Sequence, residues 1–191
     1  MELSAVIIAG GKSSRMGRDK SLMPFGEFTT MVEFQHNKLS KIFDRVYLSS
    51  KSNKFPFKTE IIYDKYSDYN PLNAIISSLE YTDRDIFLLS VDMPLIDKNI
   101  INKLINYYKN DNKYDIYITK SPNGLEPTVA IYTKKILQKA KTMYKNSDYK
   151  LLNLIKSSNT KIVNFNTTDK FININYIEDY MALESCYEPN T

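Results

Sequence analysis

Apolar and polar residues follow two alternating periods along this chain. Short, strongly apolar runs at Ala5–Ala9, Val46–Ser49, Glu60–Tyr63, Ile86–Val91, Asp115–Thr119, Thr128–Tyr132 and Ile162–Phe165 have the length of single strands. Between them the period lengthens to that of a helix. Met31–Ile42 is apolar at Met31, Phe34, Leu39 and Ile42, and Leu72–Leu79 at Leu72, Ile75, Ile76 and Leu79. Ile100–Tyr108 repeats the stripe, with Asp97 before it as a helix cap. Further helices are predicted over Lys135–Tyr144, Leu151–Ser157 and Ile177–Glu184. Continuous apolar strands alternating with amphipathic helices predict an α/β protein: a doubly wound, mostly parallel sheet covered on both faces. Ser121-Pro122-Asn123-Gly124 reads as a turn joining two strands, so antiparallel edge strands are expected on the parallel sheet.

Composition narrows the chemistry. A chain of 191 residues without repeats or low-complexity tracts is expected to form a single domain, residues 1–191. With 42% hydrophobic residues it can bury a sizeable core. The 26 Lys+Arg and 22 Asp+Glu leave a net charge of +4, too mild to argue for nucleic acid. The lone Cys186 rules out an intramolecular disulfide, and the lone His36, expected at the surface, rules out mechanisms built on two imidazoles. Met1-Glu2-Leu3-Ser4 lacks a cationic leader, and no segment approaches the ~18 apolar residues of a membrane span. A cytoplasmic protein without membrane or nucleic-acid partners is the expectation.

The richest stretch is Ala9-Gly10-Gly11-Lys12-Ser13-Ser14-Arg15-Met16-Gly17-Arg18-Asp19-Lys20, directly after the first strand. In open α/β sheets, ligands bind outside the carboxyl ends of the strands. Glycines let backbone N–H groups approach an anion, while Arg15 and Lys20 add full charges. Glycines and cations at a strand exit therefore point to a polyphosphate. A Walker A loop would need a glycine where Val6 stands, and the spacing of Gly10, Gly11 and Gly17 does not make a dinucleotide fingerprint. The plainer alternative is a solvated loop with surface cations.

A second candidate is Leu88-Leu89-Ser90-Val91-Asp92-Met93-Pro94. A carboxylate ending a buried strand is costly unless it is neutralised, and Mg²⁺ commonly combines one or two carboxylates with substrate phosphates. The competing reading makes Asp92 a turn cap before Pro94. Asp64 ends another strand and suits either a ligand or a turn. Glu126-Pro127 opens a strand with an acid that could simply be solvated. Asn173 and Asn175 alternate with Ile172 and Ile174, which places both amides on one side of an extended segment. Glu178 and Asp179 suit the first turn of the closing helix.

Together these residues resemble a known family. Ile8-Ala9-Gly10-Gly11, then Ser13, Arg15-Met16-Gly17 and Asp19-Lys20, is similar to the signature loop of nucleotidyltransferases related to molybdenum cofactor guanylyltransferase. Asp92-Met93-Pro94 resembles that family's metal-binding motif. Pro127-Thr128-Val129-Ala130 and Phe171-Ile172-Asn173-Ile174-Asn175, followed by Glu178-Asp179, are similar to its later segments in the same order. The resemblance implies transfer of GMP from GTP to the terminal phosphate of molybdopterin or Mo-molybdopterin, with release of pyrophosphate. It implies nucleotide contacts from Ile8, Ala9, Gly10, Gly11, Lys20, Asp64 and Asp92, with Mg²⁺ on Asp92. Catalytic roles fall to Arg15, Lys20 and Asp92, and the pterin side to Asn173 and Asn175. It also implies transient contacts with other cofactor-biosynthesis proteins and molybdoenzyme chaperones.

The chain departs from the family at three places. Asn70-Pro71-Leu72-Asn73-Ala74 replaces a glycine-flanked Pro-Leu loop, so its side chains are expected to crowd a ligand there. Tyr176-Ile177 replaces a Thr-Pro helix start, which is expected to weaken the cap of the last helix. Ser49 stands where relatives often carry Asn, so that contact is not carried over. Competing functions are a cytidylyltransferase on the same pterin, a sugar-phosphate or isoprenoid-precursor nucleotidyltransferase, and a non-catalytic nucleotide binder. Gly10-Gly11, where the cytidylyl relatives tend to read Ala-Gly, favours GTP.

Overall fold

A computed structural model describes residues 3–10 and 17–186. Seven strands form one sheet: β1 (Leu3–Ile8), β2 (Val46–Ser50), β3 (Glu60–Tyr63), β4 (Asp85–Ser90), β5 (Ile116–Ser121), β6 (Gly124–Tyr132) and β7 (Thr160–Asn164), in the order β3-β2-β1-β4-β6-β5-β7. Six α-helices accompany them: α1 (Met31–Ser40), α2 (Pro71–Thr82), α3 (Lys98–Asn110), α4 (Leu137–Lys145), α5 (Leu151–Lys156) and α6 (Ile177–Cys186). Every strand and helix expected from the hydrophobic pattern is present, displaced by a few residues at most at its ends.

Alternation along each strand divides the apolar residues between two cores. Ala5, Ile7 and Ala9 face one side with Phe34 and Leu39 of α1, Ile101 and Leu104 of α3, and Tyr180 of α6. Val6 faces the other side with Leu72, Ile75 and Leu79 of α2, Ala140 of α4 and Leu154 of α5. Helix ends carry side-chain caps where the sequence supplies them. Thr30 accepts from the Glu33 N–H, Asn70 from Asn73, and Asp97 from Asn99 and Ile100.

The antiparallel pairing is not at an edge. β6 runs antiparallel between β4 and β5, whereas β5 pairs parallel with β7, which forms the edge. The physical reason is burial on both faces. The buried half of β6, Val129–Tyr132, is apolar on both faces and fills the slot beside β4, with Leu89 opposite Val129 and Ile86 opposite Tyr132. A strand buried on both faces is better placed inside a sheet than at its rim.

The connections reverse direction on either side of β1. The chain runs outward through β2 and β3, then returns across β1 to β4. The carboxyl ends of β1 and β4 are thus neighbours, and the Val91 N–H donates to the Ile8 carbonyl at 3.1 Å. Such a switch point opens a crevice above the sheet. Among the described residues no helix is long and apolar enough to cross a membrane.

Candidate active site

Around this switch point lie Ala9, Gly10, Lys20, Asp64 and Asp92, five of the residues singled out in the sequence. Ala9 and Gly10 follow β1, and the Ala9 N–H donates to the Ser49 carbonyl at 3.0 Å, which holds this exit against the end of β2. A Cβ added at Gly10 would lie 3.7 Å from Asp64 Oδ2, 3.7 Å from the Ser49 carbonyl oxygen and 3.6 Å from Ser50 Cα. The Gly10 backbone therefore lies close against the end of β2 and Asp64. Asp64, just past β3, is oriented there by Ser49, whose hydroxyl donates to Oδ1 at 2.7 Å. Burial raises the Asp64 pKa, and the Ser49 bond and the Lys51 charge only partly offset this. Ser49 thus supports Asp64, a contact that the family comparison of sequences did not supply.

On the other side of β1 the Lys20 ammonium donates to Asp92 Oδ2 at 2.8 Å and to the Ile174 carbonyl at 2.9 Å. The Ile174 N–H returns to the Asp92 carbonyl at 2.8 Å. Three distant segments therefore meet at Asp92. The Lys20 and Asp92 side chains are only 17% and 19% exposed, so solvent screens their attraction weakly. Asp92 Oδ1 is buried and has no hydrogen-bond partner among the described residues. A turn-capping Asp would not leave that oxygen idle. The turn is closed instead by the backbone, with Met93 N–H donating to the Ser90 carbonyl at 3.2 Å. An orphaned carboxylate oxygen beside a lysine is what a hard cation and a phosphate chain would complete.

The loop carrying Asp92 is gripped from below by α1. Gln35 donates to the Met93 carbonyl at 3.0 Å, and Lys38 to the carbonyls of Pro94 at 2.8 Å and Ile96 at 2.7 Å. Burial pushes the Lys38 amine down to about 7, against the nearby Asp97 carboxylate, while Lys170 lowers it further. Neither residue stands out in the sequence. They sit one turn apart beside the apolar stripe of α1, and only the packing reveals their targets. Asp19 caps the turn Lys20–Leu22 by accepting from the Ser21 N–H, and it pairs with Lys54. Burial opposes its ionisation, but the Lys54 and Ser21 bonds outweigh that and lower its pKa.

The amide segment is less uniform than its alternation suggested. Residues 172–175 belong to no strand, with Asn173 half-buried and Asn175 exposed around the buried Ile174. Asp179 accepts from the N–H groups of Asn175 and Tyr176, both at 2.9 Å, so α6 is capped without a Thr-Pro start. Asn73 does not crowd a ligand. Its buried amide donates to the Tyr66 and Asp68 carbonyls and accepts from the Tyr66 N–H and the Ser77 hydroxyl, tying down the loop after Asp64. Glu126 is not merely solvated, because Ser121 donates to it at 2.7 Å. His36 is half-buried against the Phe57 ring, with 5.3 Å between centroids. Gly11 and Arg15 lie outside the described residues.

Residues 5–162 match the family described as MobA-like NTP transferase domain. A molybdenum cofactor guanylyltransferase of Campylobacter jejuni subsp. doylei is 35% identical over 187 residues, covering 96% of each chain. One of Helicobacter pylori strain G27 is 28% identical over 185 residues, covering 93% of this chain and 90% of the relative. The fold is also that of molybdopterin-guanine dinucleotide biosynthesis protein A from Archaeoglobus fulgidus, with a TM-score of 0.81, 19% identity and 97% of each chain covered. A cytidylyltransferase from Leptospira borgpetersenii shares it at a TM-score of 0.77 and 17% identity, over 97% of this chain and 86% of that one. The glycine exit from β1, the Lys20–Asp92 pair and a family match across most of the sheet agree: this chain belongs to the MobA-like NTP transferases.

Proposed function

We propose that the chain acts in molybdenum cofactor biosynthesis, transferring GMP from GTP to the terminal phosphate of molybdopterin or Mo-molybdopterin and releasing pyrophosphate. One observation carries the reading: the Lys20–Asp92 pair, whose Oδ1 has no partner among the described residues, sits at the switch point where the β1 exit and Gly10 lie. The names of the relatives at 35% and 28% identity supply the guanylyl and molybdenum-cofactor parts.

The division of labour follows from position. The backbone of Ile8, Ala9 and Gly10 would line the nucleotide, close enough because Gly10 has no side chain. Asp64, steadied by Ser49, would accept hydrogen bonds from the guanosine portion. Lys20 would hold phosphate oxygens, and Asn173 and Asn175 would face the pterin. The attacking phosphate is already an anion, so no general base is needed, and a chain with one histidine loses nothing. The protein's task is to align two anions that repel one another. Mg²⁺ on Asp92 Oδ1 would neutralise charge on the α-phosphate and the leaving pyrophosphate. No group of three or more His, Cys, Asp or Glu among the described residues makes a self-sufficient metal cage. That suits a cation shared between one carboxylate and substrate phosphates.

The deciding experiment compares GTP, CTP and ATP with Mg²⁺, both in binding and in turnover with molybdopterin. GTP should be used with clear preference, and Asp92→Asn should abolish turnover without unfolding the protein. Equal turnover of CTP would defeat the guanine assignment, and near-normal GMP transfer by Asp92→Asn would defeat the metal assignment.

A further inference from the structure

Asp92 stands on a loop with no regular secondary structure, Val91–Asp97, yet a catalytic carboxylate must be held to within about 0.5 Å. β4 ends at Ser90, and beyond it β1 reaches only as far as the Val91 N–H, which donates to the Ile8 carbonyl at 3.1 Å. The loop's own backbone contributes two turn bonds, Met93 to Ser90 at 3.2 Å and Ile96 to Met93 at 3.4 Å, the second near the limit of a hydrogen bond. Asp92 itself is held by the Ile174 N–H on its carbonyl and by Lys20 on Oδ2, both at 2.8 Å, whereas the residues that follow it are tied from α1. Gln35 and Lys38, three residues apart on one face, donate to three carbonyls of the loop, those of Met93, Pro94 and Ile96. Met93 and Ile96 are fully buried, so the loop is pinned on an apolar underside and tied through its carbonyls. Gln35 is itself fully buried, and among the described residues its one side-chain hydrogen bond is the one it donates to Met93. The Lys38 ammonium also lies 5.2 Å from the centre of the Phe34 ring, one turn back on the same helix.

We infer that Gln35 and Lys38 are positioning residues for the reaction: a clamp from α1 that sets the height and direction of the Asp92 carboxylate and thereby the affinity of the cation site. The inference rests on the reading of Asp92 as a metal ligand given above. Neither side chain touches substrate. Their effect passes through the Met93–Ile96 backbone to the residue next to it. Partners that orient a metal ligand in this way typically change metal affinity or activity by roughly 10–100-fold when removed.

The test uses Lys38→Met, which keeps the stem and deletes two bonds, and Gln35→Met, which deletes one. Mn²⁺ binding is followed by electron paramagnetic resonance in the presence of GTP, at a temperature where each variant is shown to be folded by circular dichroism. Wild type and Asp92→Asn are measured first. If wild type binds no Mn²⁺, or Asp92→Asn binds it equally, the reading of Asp92 has failed, whatever the clamp does. Given that control, Lys38→Met should bind Mn²⁺ about tenfold more weakly and Gln35→Met a few-fold more weakly. In turnover, kcat should fall and the half-saturating Mg²⁺ concentration should rise, with the KM for GTP within about twofold. A merely structural clamp would lower the melting temperature and leave Mn²⁺ affinity of the folded protein unchanged. Folded variants with Mn²⁺ affinity within twofold of wild type overturn the inference. Should Lys38→Met fail to fold, Gln35→Met decides alone.

Discussion

Asn73 is the position where crowding a ligand and supporting a loop make opposite predictions. Its side chain is fully buried and makes four hydrogen bonds to the 66–68 loop and Ser77, at 2.8 to 3.2 Å. In Asn73→Ala the Asp68 carbonyl, on an exposed residue, is re-solvated, so that bond counts for little. The remaining three contribute roughly 1 kcal/mol each, about 3 kcal/mol together. Alanine returns about 0.6 kcal/mol as the better helix former in α2. A net loss of roughly 2–3 kcal/mol should lower the melting temperature by about 4–12 °C in a chain of this size. Scanning calorimetry of the purified variant measures it, and GTP affinity is measured well below the transition. GTP affinity should change little, because the amide faces the loop and not the cleft. A melting point within about 1 °C of wild type, together with a clear change in GTP affinity in either direction, would refute the structural assignment.

Other expectations follow from single contacts. Gly10→Ala meets only ordinary van der Waals distances of 3.6–3.7 Å and no positive φ, so it should fold with a melting point near wild type while weakening GTP binding measured by calorimetry. An intact affinity would mean the ligand does not approach this backbone. Asp179→Ala removes the acceptor for two N–H groups at the start of α6, costing about 1 kcal/mol locally. Hydrogen exchange should quicken across residues 177–186, and unchanged protection there would show that the cap is idle. Lys38 gives a pH signature. Its folded pKa is about 7 against an ordinary 10.5, so below pH 7 both states hold the proton and stability does not change through this group. Between the two values only the unfolded chain keeps it, so stability should rise with pH, by at most about 1.4 kcal/mol per unit. Chemical denaturation from pH 7.5 to 9.5 should show that rise in wild type relative to Lys38→Met, and parallel curves would contradict it.

Most of the fold was legible because periodicity reports burial directly. Strands apolar on both faces and helices with a single stripe leave few arrangements besides a covered parallel sheet. The position of β6 was not legible, since the turn at Pro122-Asn123 shows that two strands pair but not which neighbour the second one meets on its far side. In the site, Lys20, Asp64 and Asp92 announced themselves as charges at strand exits. Gln35 and Lys38 did not, because their partners are carbonyl oxygens, which every residue possesses. Asn73 was misread for a related reason: an amide beside a cleft looks the same in sequence whether it points inward or out.

The placement of β6 also bears on the order in which the molecule is completed during synthesis. The crossover from β4 through α3 to β5 leaves a space one strand wide beside β4, and only a hairpin returning from β5 fills it. The β5–β6 hairpin closes over a two-residue loop, whereas β6 meets β4 only across the whole of α3 and β5. Local pairing costs less chain entropy than distant pairing, so the hairpin is the natural unit to form first and then dock. Ile174, whose backbone holds both Asp92 and Lys20, comes later still in the chain. A nascent polypeptide that has already made β1 to β4 therefore carries Lys20 and Asp92 without the Ile174 tie, which can close only after every strand of the sheet has been synthesised.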